Sequence, residues 1–147
     1  AKNGGVIGIV ALPEYLQDNW AAAWEATDAA HEQEIKTVLA KHGGDARNPE
    51  YREDRRLIIQ KNLPEEAIVT LDTYLDHIDH ALRVAGEDHV ALGSDFDGMW
   101  AFPVGLEKAS RWQNVTNGLR ERGWSEEVIA KVTHQNARRV FRQVVDR

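Results

Sequence analysis

The chain has 147 residues, 42% hydrophobic and 29% charged, with a formal net charge of −6, which places it among folded acidic globular chains of one domain and excludes a disordered tract. Eighteen Lys and Arg against 24 Asp and Glu give no electrostatic reason to expect a nucleic-acid partner. No cysteine occurs, which excludes disulfides and zinc–thiolate sites and fits a cytoplasmic as well as a periplasmic setting.

Val6-Ile7-Gly8-Ile9-Val10-Ala11-Leu12, closed by Pro13, is a continuous, β-branched apolar run and reads as a strand buried on both faces. It falls far short of the ~20 residues that span a bilayer and lacks the flanks of a signal peptide. From Asp18 the spacing becomes helical: Trp20, Ala23, Trp24, Thr27 and His31, then Ile35, Val38 and Leu39, recur every three or four residues up to Gly43-Gly44. Asp45 to Arg56 is polar and reads as an exposed connection. The next helix is expected to open near Asn62, with Pro64 in its first turn, and to present Ala67, Leu71, Tyr74, Leu75, Ile78, Leu82 and Ala85 on one face before Gly86 ends it.

A second apolar run, His89-Val90-Ala91-Leu92-Gly93, leads directly into Ser94-Asp95-Phe96-Asp97-Gly98. A loop over Met99–Gly105, a helix over Leu106–Arg122, and a last helix capped by Ser125 with Val128, Ile129, Val132, Val140 and Val144 on its stripe complete the chain. Strand, helices, strand, helices is the alternation of an α/β fold with parallel strands. Two parallel strands alone do not make a sheet covered on both faces, so the expectation is one segment, residues 1–147, of a larger domain.

In such folds ligands gather at the carboxyl ends of strands, where Asp95 and Asp97 stand. A carboxylate fixed there and partly desolvated suits general acid/base or metal-associated chemistry; a capping or turn aspartate in a loop with Gly98 is the alternative. On extended backbone the two would point the same way, in a turn they would diverge. His77 and His80 share a helix with Asp76 and Asp79, but with Ile78 at the buried centre His80 lies nearly opposite it and His77 at the flank, which argues against a metal pair. His89 lies at the amino end of its strand, and His31, His42 and His134 are single helical histidines. There is no HExxH spacing, phosphate loop or GxSxG elbow around Ser94.

Leu75-Asp76-His77-Ile78-Asp79-His80, the run Val84 to Gly98, Pro103-Val104-Gly105-Leu106-Glu107, Arg122 to Glu127 and Asn136-Ala137-Arg138-Arg139-Val140-Phe141 together resemble the membrane (renal) dipeptidase family of zinc peptidases. Gly4-Gly5-Val6-Ile7 resembles that family's penultimate barrel strand. The resemblance covers nearly the whole chain and is weakest in residues 17 to 60. It implies the C-terminal portion of a (β/α)8 TIM barrel, its last two strands with their covering helices, incomplete on its own because a whole barrel takes ~250 residues. It further implies cleavage of a dipeptide amide bond by a hydroxide shared between two zinc ions, with Asp95 as the catalytic proton acceptor and donor. The zinc ligands and the substrate-binding Arg would lie upstream, so no metal ligand is assigned in this chain. The implied partners are a small dipeptide and the upstream half of the barrel, with a homo-oligomer as the expected assembly.

Two features depart from the family pattern: Val10-Ala11-Leu12 stands where relatives carry Asn and aromatic residues, and His134 stands where glycine is common. The first puts substrate preference in question. A barrel homologue acting on another amide or in a biosynthetic modification is therefore one alternative. A non-catalytic interaction module using Trp20, Trp24 and the charged connection is the other.

Overall fold

The structure, a computed structural model, describes residues 2–96 and 98–146. Its sheet has two parallel strands, β1 (Ile7–Val10) and β2 (Val90–Gly93), in register Ile7 to Val90 and Val10 to Gly93. The chain between them is helical: α1 (Pro13–Leu16), α2 (Trp20–Ala30), α3 (Glu32–Lys41), α4 (Pro49–Asn62) and α5 (Leu71–Ala85). After β2 come α6 (Gln113–Glu121), α7 (Glu126–Ala130), a π-helical turn (Lys131–Gln135) and α8 (Asn136–Val145). The result is a helix-rich α/β fold around a small parallel sheet, with the helix that follows each strand folding back over the core. Among the described residues no helix is long and apolar enough to cross a membrane.

The strongest local signals are those with an explicit cap. Helix α5 starts at Thr70, whose Oγ1 accepts from Thr73 N at 3.4 Å while Thr73 Oγ1 accepts from Thr70 N at 3.3 Å, and stops at Gly86, whose φ of 90° suits a residue without Cβ. Ser125 caps α7 through Val128 N, as expected from its position before Glu126-Glu127. The face of α5 predicted to be apolar is the heart of the core: Tyr74, Leu75, Ile78 and Leu82 are buried against Val115 and Leu119 of α6 and Val90 of β2.

Four boundaries differ from expectation. Asp45–Arg56 is not an exposed connection throughout: Asn48 Oδ1 accepts from Glu50 N at 2.8 Å and Tyr51 N at 3.3 Å, Pro49 fills the first turn, and the charged run 52–56 lies on α4. The segment 63–70 is no helix but a 3₁₀ turn, Glu65–Ala67, followed by extended backbone in which Val104 N donates to Val69 O at 2.8 Å. The helix expected to run on to Gly43 breaks at His31, where φ −108° and ψ 18° close α2 before α3 begins. The helix over Leu106–Arg122 is a 3₁₀ turn, Ala109–Arg111, and the shorter α6.

Strand β1 is also less covered than its sequence suggests. Ile7 is 54% exposed, and only the carboxyl half of the strand approaches the core. The helices pack against β2 and leave one edge of β1 unpaired. The last helical segment behaves alike: Val128 and Ile129 of α7 and Val132 of the π-helical turn are buried, but Phe141 and Val144 of α8 are 67% and 66% exposed.

Asn136 holds β2 to this last helical segment. Its side-chain N–H₂ donates to Glu87 O at 2.7 Å and Val90 O at 2.8 Å, and the residue is 3% exposed. Asp79, also buried, accepts from Trp124 Nε1 at 2.6 Å and from Arg122 at 2.9 Å. It is therefore a structural anchor between α5 and the 122–124 turn. His77 hydrogen-bonds Leu16 O at 3.0 Å through Nε2, His80 is exposed, and His89 contacts Gly5 O at 2.8 Å, so none of the three converges with another histidine.

Candidate active site

Both parallel strands end on the same side of the sheet, and a single side chain ties their ends together. The Tyr74 hydroxyl, fully buried, donates to Ile9 O at 2.7 Å with Gly93 O at 3.4 Å beside it. Burial pushes its ionisation well above the ordinary tyrosine value. The hydroxyl thus remains a donor at any working pH. Tyr74→Phe is expected to destabilise the fold by about 1–2 kcal/mol, the cost of leaving a buried carbonyl short of its donor. Urea unfolding measures it, and a change below about 0.5 kcal/mol would show that the strand ends do not depend on this bond.

Immediately beyond β2 the backbone reverses. Asp95 has φ 57°, and it is the one non-glycine residue with positive φ among the described residues. Aspartate tolerates this left-handed conformation better than most side chains, and such outliers persist where the surroundings over-determine them. Here Asp95 O accepts from Gly98 N at 3.1 Å and Met99 N at 2.9 Å, closing the turn. The carboxylate folds over Gly98 so closely that a Cβ at that residue would overlap Asp95 Oδ1. Gly98 is itself exposed, so its missing side chain serves the position of the carboxylate and not the core.

Asp95 was expected to be fixed and partly desolvated. The turn fixes it, but the residue is exposed. The turn also answers whether the backbone here is extended: it is not. Asp97 lies outside the described residues. Gly98→Ala is expected to leave the fold within about 0.5 kcal/mol of the parent while displacing the Asp95 carboxylate; a melting curve measures the first and a crystal structure of the variant the second, and a carboxylate left in place would contradict it.

Around the loop the aromatic side chains collect. Phe96 packs on Phe102 (5.4 Å between centroids) and Trp112 (5.7 Å), while Trp20, Trp24 and Trp100 form a triad at 4.8–5.2 Å. Trp20 and Trp24 are 2% and 3% exposed, which removes them as docking aromatics of an interaction module. A cleft of about 710 Å³ opens between this loop and α4, with Trp24, Phe96, Met99, Trp100 and Phe102 on one side. The facing side of α4 is basic. Arg56 lies 5.5 Å over the Phe102 ring and donates to Glu53, whose carboxyl the hydrogen bond from Arg56 holds below its usual range. Gln60 Nε2, from the next turn, donates to Phe102 O at 3.3 Å and pins helix to loop.

Sequence reasoning missed this cleft, because α4 was read as a connection. The signal was present in Asn48-Pro49, an N-cap followed by proline at the first helical position. Among the described residues no three His, Cys, Asp or Glu side chains lie close enough together to hold a metal ion. The residues present therefore do not by themselves fit a zinc pair.

Asp95 thus stands at the carboxyl end of a parallel strand, the end at which α/β folds bind their ligands. The chain belongs to the membrane dipeptidase family, peptidase family M19, whose model it matches over residues 1–147. It is similar to dipeptidase ataJ of Aspergillus terreus, 42% identical over 85 residues that make up 58% of this chain and 21% of that protein. Human dipeptidase 3 is 38% identical over 87 residues, 59% of this chain and 17% of that protein. Among solved structures, the probable dipeptidase PvdM from Pseudomonas aeruginosa superposes with a TM-score of 0.65 at 25% identity, covering 99% of this chain and 38% of that one. The chain thus spans about a fifth of the length of these curated relatives.

Proposed function

We propose that this chain is the C-terminal part of a (β/α)8 barrel dipeptidase and supplies its catalytic carboxylate, Asp95. The observation that carries the reading is the position of Asp95, held in a left-handed turn at the carboxyl end of β2, in a chain whose whole length matches the dipeptidase family. Barrel enzymes place their chemistry at that end of the strands.

The uncovered surfaces support the barrel. An unpaired β1 edge, exposed Ile7, and exposed Phe141, Val144 and Val145 on α8 are apolar surface that neighbouring strands and helices would bury. Further strands would continue the sheet at both of its open edges, and the helix accompanying the strand beyond β2 would lie on α8. The family's zinc chemistry, a hydroxide made nucleophilic at neutral pH, would be supplied by ligands on those strands.

What this chain contributes is a proton path. The Asp95 carboxylate accepts a proton as water oxygen adds to the amide carbon, and returns it to the nitrogen as the C–N bond breaks, leaving an acid and an amine. Gly98 gives the carboxylate its seat, and Tyr74 keeps the two strand ends in register beneath it. Hydrolysis of unmodified dipeptides by the completed barrel tests the proposal. Turnover that disappears in Asp95→Asn supports it, and turnover that survives the substitution contradicts it.

A further inference from the structure

We infer that the cleft between α4 and the Asp95 loop is the side-chain pocket of the amide substrate, suited to a bulky apolar residue and hostile to a basic one; the inference rests on the dipeptidase reading above. Its volume, about 710 Å³, lies within the range of small-molecule sites, roughly 300–1,000 Å³. Its position ties it to the chemistry: Phe96 directly follows Asp95, and Met99, whose N–H donates to Asp95 O at 2.9 Å, lies on the same wall. The cleft and the Asp95 turn thus share one loop.

The wall favours apolar groups. Trp100 remains 38% exposed although it packs tilted on Trp20 and edge-on against Trp24, 5.2 Å from each, so its ring is a half-open apolar surface. Large aromatic surfaces of this kind gain most from covering another apolar group.

The rim sets the charge preference. Arg56 is neutralised by Glu53 at 2.6 Å and Arg55 by Asp28 at 2.8 Å. Arg52 lines the same cleft, is exposed, and forms no ion pair among the described residues. Among the charged side chains that line the cleft one positive charge is therefore left over, and a lysine or arginine side chain entering beside α4 meets like charge.

The test compares Ala-Phe, Phe-Ala, Ala-Ala, Ala-Lys and Lys-Ala with the completed barrel, reading kcat/KM and, separately, the change in tryptophan emission on titration. The better phenylalanine dipeptide is expected to exceed Ala-Ala by about tenfold or more in kcat/KM, the range that added apolar bulk supplies, and both lysine dipeptides to fall below Ala-Ala. Trp100→Ala is expected to shrink the Phe-to-Ala ratio severalfold. Arg52→Glu, on an exposed side chain that the fold does not need, is expected to raise the Lys-to-Ala ratio, and it keeps the test decisive if Trp100→Ala fails to fold. Turnover of all five dipeptides at similar kcat/KM, or ratios unmoved by both substitutions, would overturn the pocket and leave the dipeptidase reading intact. Emission changes specific to the phenylalanine dipeptides without turnover of any dipeptide would overturn the dipeptidase reading and leave the pocket standing. Neither turnover nor emission change would overturn both.

Discussion

Asp95→Asn is expected to lower the kcat of the completed barrel for dipeptide hydrolysis by about 10²–10⁴-fold, the contribution of a positioned general acid/base. The substitution isolates chemistry from structure unusually well. Asparagine is nearly isosteric and shares the tolerance of aspartate for positive φ, so the turn at φ 57° and the backbone bonds from Gly98 and Met99 can persist. The side chain is exposed, and no buried partner is stranded by the change. Stability should therefore remain within about 0.5 kcal/mol of the parent. What is lost is a group that can take a proton. Loss of kcat with a comparable melting temperature supports the role, whereas parallel loss of both would assign Asp95 to the structure of the loop.

Asn136→Ala is expected to have the largest effect on the fold, about 3 kcal/mol. It removes two hydrogen bonds and leaves the buried carbonyl of Val90, and the carbonyl of Glu87, without their donor. For a chain of this size that corresponds to a fall in Tm of roughly 10 °C. Because Asn136 joins α8 to the start of β2, the strand that ends at the Asp95 turn, the same substitution should loosen the site indirectly. Thermal unfolding by circular dichroism measures the first effect. A loss under about 1 kcal/mol would show that the segment is held by the packing of Val128, Ile129 and Val132 and not by this side chain.

Much of the fold was legible where sequence carries a local instruction. The first strand stood out as a β-branched run closed by proline, the second as a short apolar run leading into acidic and glycine residues, and α5 because its apolar stripe keeps a 3.6-residue period up to a glycine with positive φ. The chain did less well where the instruction is tertiary. Helix α4 hid behind a run of charges, because its buried face includes Arg56, neutralised by Glu53 and stacked on Phe102; no hydropathy pattern marks a buried arginine. The exposure of β1 was invisible for a related reason, since a continuous apolar run states that a strand wants two covered faces and not whether this chain supplies them.

The site divides along the same line. Asp95 could be singled out because an acidic residue after an apolar strand occupies the place where α/β folds bind ligands. Its left-handed turn could have been suspected from aspartate followed by a glycine three residues on. The cleft could not, because its walls come from α4 and the 96–102 loop, and only the folded chain brings Gln60 to Phe102 across 42 residues.

The central claim, that this chain completes a metal-dependent barrel instead of forming a site by itself, is tested most directly by zinc content. The 147-residue chain and the same chain joined to the strands that would complete the barrel should be purified side by side and assayed for bound zinc. The expected result is no stoichiometric zinc on the chain alone, consistent with the lack of any three-ligand cluster among its described residues, and close to two ions in the completed barrel, the number of a two-metal hydrolytic site. Stoichiometric zinc on the chain alone, or none in the completed barrel, would contradict it.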